Sequence, residues 1–110
     1  MKDIFESSLL YDFYGELLTE HQKEIYEDFM FNDLSLGEIA EDRGISRQGV
    51  HDLIKRCDKI LNSYEEKLHL LERFTKTKED VQKICDLADL NNDESISEIK
   101  ELAHGILDNY

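Results

Sequence analysis

Leu34-Ser35-Leu36-Gly37-Glu38-Ile39-Ala40-Glu41-Asp42-Arg43-Gly44-Ile45-Ser46-Arg47-Gln48-Gly49-Val50 is the stretch that decides the fold. Ser35 and Glu38 have the spacing of a capping box, in which two side chains satisfy backbone N–H groups that a helix start leaves open. Leu34 and Ile39 are placed as a hydrophobic staple across that start. The pattern then returns, with Ser46 as cap and Ile45 and Val50 as staple. Between the two starts, Gly44 supplies the left-handed residue that ends a helix and turns the chain. A short helix over about Leu36 to Asp42 and a second from Arg47 therefore form a helix-turn-helix that runs from Leu34 to about Arg56. Ala40 is the small residue that lets the second helix approach. Ile39, Ile45, Val50 and Leu53 are the apolar contacts between the two. Arg43 departs from the pattern, standing where an apolar residue is usual.

Outward from this motif, the rest of the chain also reads as helix. Leu9, Leu10, Phe13, Tyr14, Leu17 and Leu18 repeat at helical spacing and predict a first helix over about Ser7 to Leu18. Thr19 and Gln22 form a capping box for a second helix carrying Ile25, Tyr26, Phe29 and Met30, which Asn32-Asp33 ends. The helix begun at Arg47 has no obvious stop before Thr75, so it is expected to run to Phe74, roughly 40 Å at 1.5 Å per residue. Its apolar residues recur every seven: Val50, Cys57, Tyr64 and Leu71 in one row, Leu53, Ile60 and Phe74 in a second, Ile54, Leu61 and Leu68 in a third. Such a helix outreaches one small domain. Its far half is expected to be covered by the C-terminal helices or by a second copy, with Tyr64, Leu68, Leu71 and Phe74 as dimerisation residues. Thr77-Lys78-Glu79-Asp80 is expected to start a fifth helix and Ser95 with Glu98 to cap a sixth. The fold class is all-α, in one helical domain over 1–110: a helix-turn-helix core over 1–74 and a C-terminal helical hairpin over 75–110.

Composition agrees with that class and narrows the function. The chain of 110 residues contains no proline and five glycines, which removes the strongest helix breaker. No stretch approaches the eighteen or so apolar residues that cross a membrane. The N-terminal Met1-Lys2-Asp3-Ile4-Phe5-Glu6 lacks the basic-then-apolar pattern of a secretory leader, which predicts a cytoplasmic protein. Cys57 and Cys85, both at helical apolar positions, are expected as buried core residues. The four histidines share no metal-binding spacing with cysteines or carboxylates, and no phosphate loop or nucleophile motif is present. The expectation is no enzyme, no cofactor and no metal.

Net charge is −13, but its distribution matters more than its total. Residues 1–42 carry net −10 and residues 61–110 net −6, while residues 43–60 carry net +3. This basic island coincides with the second helix of the motif. On a helical wheel, Val50, Leu53, Ile54, Cys57, Ile60 and Leu61 gather on one side. Arg47, Gln48, His51, Lys55 and Lys59 gather opposite. Arg47, Gln48 and His51 are candidates for reading base edges, and Lys55, Arg56 and Lys59, with Arg43 nearby, for holding phosphates. Asp52 is placed to pair with Lys55 and Arg56. The partner is either nucleic acid, RNA or DNA, or a basic protein drawn to the acidic remainder.

Several segments together resemble one family. They are Asp12-Phe13-Tyr14-Gly15-Glu16-Leu17-Leu18-Thr19, Ser35-Leu36-Gly37-Glu38-Ile39-Ala40-Glu41, Ser46-Arg47-Gln48-Gly49-Val50, Ile54-Lys55-Arg56 and Tyr64-Glu65-Glu66-Lys67-Leu68. They are similar to the YlxM family of bacterial helix-turn-helix proteins encoded beside the signal recognition particle protein, over about residues 9–74. The same stretch more loosely resembles region four of sigma factors. The resemblance implies a sigma-region-four-like fold, self-association as a homodimer, and a regulatory or accessory role in the signal recognition particle pathway, with the particle's protein or RNA as partner. The chain differs from the usual family pattern at Gly49, His51 and Leu53.

Overall fold

The computed structural model describes residues 4–109. Met1, Lys2 and Asp3, half of the N-terminal stretch read for a leader, lie outside the described residues. The elements are α1 (Ile4–Tyr14), a 3₁₀ turn (Gly15–Leu17), α2 (Glu20–Met30), α3 (Leu36–Arg43), α4 (Arg47–Leu68), α5 (Leu70–Leu90) and α6 (Asp93–Asp108). No strand occurs among the described residues, and the protein is all-α. The chain forms two compact units, Met1–His69 and Leu70–Tyr110.

In the first unit, local chemistry sets the helix starts. Thr19 accepts from the Gln22 backbone while the Gln22 side chain accepts from the Thr19 N–H, and Ser35 and Glu38 do the same for α3. Gly44 closes α3 with φ +67°. A Cβ there would meet nothing within 4 Å, so the cost of a side chain is purely conformational. Gly44→Ala is expected to lower stability by about 1–2 kcal/mol, the penalty of placing an L-residue in the left-handed region, read as a shift in urea midpoint at constant slope.

The helices close around Leu10, Tyr14, Leu18, Ile25, Tyr26, Ile39, Val50, Ile54, Cys57 and Leu61, all buried. Four of these, Val50, Ile54, Cys57 and Leu61, form the inner face of α4, as the wheel predicts. Two buried tyrosines reach α4 from the other helices. The Tyr14 hydroxyl donates to Glu65 Oε1 and the Tyr26 hydroxyl to Asp58 Oδ1, each at 2.6 Å. Burial, and then the Asp58 carboxylate, push the Tyr26 phenol well above its ordinary value. Tyr11 donates to Glu27 and stacks on Tyr26 with ring centroids 5.4 Å apart. Cys57 is fully buried, and burial raises its thiol to about 11. It is therefore a packed side chain, not a reactive one.

The structure corrects several expectations. The first helix does not continue to Leu18: it gives way at Gly15 to a 3₁₀ turn, and Leu17 is exposed. The Tyr11 ring covers Gly15 so closely that a Cβ there would stand 2.8 Å from it. The helix from Arg47 ends at Leu68, not Phe74. His69 adopts the left-handed conformation at φ +57°, its N–H bonded to the Glu65 carbonyl. Histidine is among the residues enriched in that region. A new helix starts at Leu70 and runs through Thr75 and Thr77 without a break. The seam between the units thus falls at His69, ahead of the boundary expected after Phe74.

In the second unit α5 and α6 pack on each other, with Ile84, Leu87, Ile99, Leu102 and Ile106 half-buried. Asn91 turns the chain with positive φ. Asn92 caps α6 in a reciprocal box with Ser95, so the helix starts a turn earlier than a Ser95–Glu98 box would place it. Asparagine is among the strongest N-caps, which accounts for the difference. Cys85 is exposed, contrary to expectation. A two-helix unit encloses one seam only, and Cys85 lies off it.

Candidate nucleic-acid interface

The apolar inner face of α4 dictates what its outer face can offer. Arg47, Gln48, Lys55, Arg56 and Lys59 are exposed and His51 is half-buried. The Ser46 side chain accepts from the Gly49 N–H at 2.9 Å and fixes the start of α4. A Cβ on Gly49 would come within 3.1 Å of that same oxygen. Glycine at this site therefore gives the capping hydroxyl room, a role that helical spacing alone does not reveal. With the first turn so fixed, Arg47, Gln48 and His51 line one open depression together with Leu36 from the start of α3. Four candidate or neighbouring side chains from both helices of the motif thus meet at one place.

Electrostatics sort the cations into two groups. Arg43 is held by α2: its guanidinium donates to Glu24 Oε2 at 2.9 Å and to Asp28 Oδ2 at 3.0 Å. This pairing explains why an arginine replaces the usual apolar residue of the motif, since at this position it ties α3 to α2 by charge. Arg47, Lys55, Arg56 and Lys59 make no ion pair among the described residues. Asp52 does not take up Lys55 or Arg56 as its spacing suggested. Its Oδ1 accepts from the Gln48 amide at 2.9 Å and lies 3.7 Å from His51 Nδ1.

Asp28 lies below the usual carboxylate range, first because the Asn32 amide donates to it and then because of Arg43. A carboxyl with a depressed folded value binds fewer protons folded than unfolded. Its contribution is therefore complete above the unfolded value near 3.8 and is lost as pH falls through the folded one. Asp28→Asn is expected to lower the urea midpoint at neutral pH. The gap to the parent should begin to narrow as the pH falls below about 4 and close at still lower pH, below the folded value. A gap that persists at low pH would show that the charge of Asp28 contributes nothing.

The expected dimerisation residues do not share one helix. Tyr64 and Leu68 lie on α4, and Leu71 and Phe74 on α5. Tyr64 is half-buried with its ring 6.0 Å from that of Tyr14, Leu71 is buried, and Leu68 and Phe74 are 46% and 40% exposed. No helix among the described residues is long and apolar enough to cross a membrane.

Comparison with known proteins matches residues 1–103 to the family model described as "UPF0122: Putative helix-turn-helix protein, YlxM / p13 like". The chain is 41% identical over 107 residues to a UPF0122 protein of Desulforamulus reducens, covering 97% of this chain and 92% of that one. It is 40% identical over 110 residues to a UPF0122 protein of Clostridium kluyveri, with 99% of each chain covered. It is 53% identical over 78 residues to a UPF0122 protein of Acetivibrio thermocellus, covering 71% of this chain and 67% of that one.

Proposed function

Because this chain belongs to the UPF0122 family of helix-turn-helix proteins, and because α4 presents cations that make no ion pair among the described residues, we propose that it binds nucleic acid through the exposed face of α4. The observation that carries this reading is the state of Arg47, Lys55, Arg56 and Lys59. In a chain of net charge −13, these four lie on the basic stretch with no ion pair among the described residues, while Arg43 is occupied by Glu24 and Asp28. Lys55, Arg56 and Lys59 hold phosphates, and Arg47, Gln48 and His51 approach the bases.

The resemblance to the YlxM family supports an accessory or regulatory role in the signal recognition particle pathway. On this reading the protein acts in the cytoplasm, with the particle's RNA or protein as partner. A homodimer belongs to the same reading, with the exposed Leu68 and Phe74, together with Tyr64 and Leu71, as contact residues. It is not an enzyme on this reading. A second reading, a transcriptional regulator that reads duplex DNA, is favoured by the depression that Leu36, Arg47, Gln48 and His51 form at the start of the second helix of the motif.

Titration of the full chain with labelled RNA and with duplex DNA across a salt series tests the proposal. Binding is expected to weaken steeply as salt rises, because each phosphate contact releases a counterion. Absence of binding to either nucleic acid would overturn it and leave a protein-interaction module whose acidic surface docks a basic partner.

A further inference from the structure

Gln48 and Asp52 are one helical turn apart on the exposed face of α4, and the Gln48 Nε2 donates to Asp52 Oδ1 at 2.9 Å. An ionised carboxylate only accepts hydrogen bonds. The amide nitrogen, not its oxygen, must therefore face Asp52, and the orientation of the Gln48 amide is determined by chemistry. One N–H is taken by Asp52. With Asp52 on the N–H trans to the carbonyl, the N–H beside the carbonyl oxygen and that oxygen form a donor–acceptor pair in the amide plane for a ligand. That donor–acceptor pair matches the major-groove edge of adenine, which offers the N6 amino group as donor and N7 as acceptor.

We infer that Asp52 is a specificity-determining positioning residue, which locks the Gln48 amide in the orientation that reads adenine in duplex DNA. The inference rests on the duplex-DNA reading above and goes beyond it by naming the base and the residue that selects it. Two observations place the pair at the reading end of the helix. Gln48 lines the depression with Arg47, His51 and Leu36, and Asp52 Oδ1 also lies 3.7 Å from His51 Nδ1. A carboxylate so close to the bases also opposes phosphate, so Asp52 lowers sequence-independent affinity while it raises discrimination. Duplex DNA is the ligand because the major groove of A-form RNA is too deep and narrow for side chains to read.

The competing account is an ordinary i,i+4 surface pair that only steadies the helix. The two accounts predict different readouts. Asp52→Ala keeps a good helix former and removes the lock. Asp52→Asn keeps the shape, but its own amide can donate or accept, so both orientations of Gln48 become available. The full chain and both variants are selected against a randomised duplex DNA library, and affinities are then measured on the enriched duplex and on versions with the selected adenine replaced.

The parent is expected to prefer adenine by roughly tenfold, within the range of one good bidentate base contact. Both variants should lose that preference, to within about twofold, while their affinity for unrelated duplexes stays level or rises as a negative charge leaves the face. Adenine preference that survives in Asp52→Ala would overturn the inference and leave nucleic-acid binding standing. So would a parent that binds duplex DNA with no adenine preference. A uniform loss of affinity on all duplexes would show a merely structural pair and also overturn it. Failure of the parent to bind duplex DNA at all overturns it as well, and the RNA arm of the salt titration then decides separately whether the broader reading survives.

Discussion

Reversal of Lys55 and Arg56 to glutamate is expected to reduce nucleic-acid affinity at least about a hundredfold at moderate salt. The double change removes two phosphate contacts and sets two carboxylates where the phosphates would lie. The residual binding should have a log–log salt slope less steep by about 2, one for each lost contact on a duplex. Both side chains are exposed and neither makes an ion pair among the described residues. Glutamate is also a good helix former, so the urea midpoint should stay near that of the parent. Sedimentation should also be unchanged, because neither residue belongs to the expected contact set between copies. Binding that survives the double reversal with its salt slope intact would remove the outer face of α4 from consideration.

The second large effect concerns the fold that presents this face. Ile39 is fully buried and is the only residue of α3 in the core. Truncation to alanine removes three carbons from a site whose walls are held by capped helices and by the Arg43 ion pairs. The expected cost is about 3 kcal/mol, within the range for buried isoleucine or leucine. That is a large part of the 5–15 kcal/mol that stabilises a typical domain. Urea unfolding followed by far-ultraviolet circular dichroism would read it as a lower midpoint. A change under about 1 kcal/mol would mean that α3 is not anchored through Ile39.

The features that were legible in the sequence are those governed by near neighbours along the chain. Thr19 with Gln22, and Ser35 with Glu38, fall three residues apart, and both boxes form. Gly44 is left-handed where a turn was needed. The inner face of α4 follows from apolar spacing alone. What escaped the sequence depends on partners far along the chain or on residues with no strong preference. Histidine's preference for the left-handed region is weak beside glycine's, so the break at His69 was hidden inside an unbroken seven-residue rhythm. Arg43 looked like a free cation because Glu24 and Asp28 lie a full helix away. Asp52 had three plausible partners within one turn, and spacing does not rank Gln48 above Lys55 or Arg56. Ser95 with Glu98 has the box spacing, but Asn92 with Ser95 has it too, and asparagine caps helices as well as serine does, so spacing alone does not choose between the two starts.

The two buried tyrosines that reach α4 bear on how faithfully the outer face can be aimed. Asp58 and Glu65 are seven residues apart, so they lie nearly above one another along α4, and Tyr26 and Tyr14 address them from two different helices. An apolar stripe such as Val50, Ile54, Cys57 and Leu61 tolerates a helix that rolls or slips, since one methyl group packs much like the next. A hydroxyl that must meet a carboxylate does not. Rolling α4 by a single residue would swing it through about 100° and break both of these contacts. The pairs thus act as an angular index. They do little to decide whether the helices pack, but they decide at which rotation α4 comes to rest, and so which of its side chains a nucleic acid would meet.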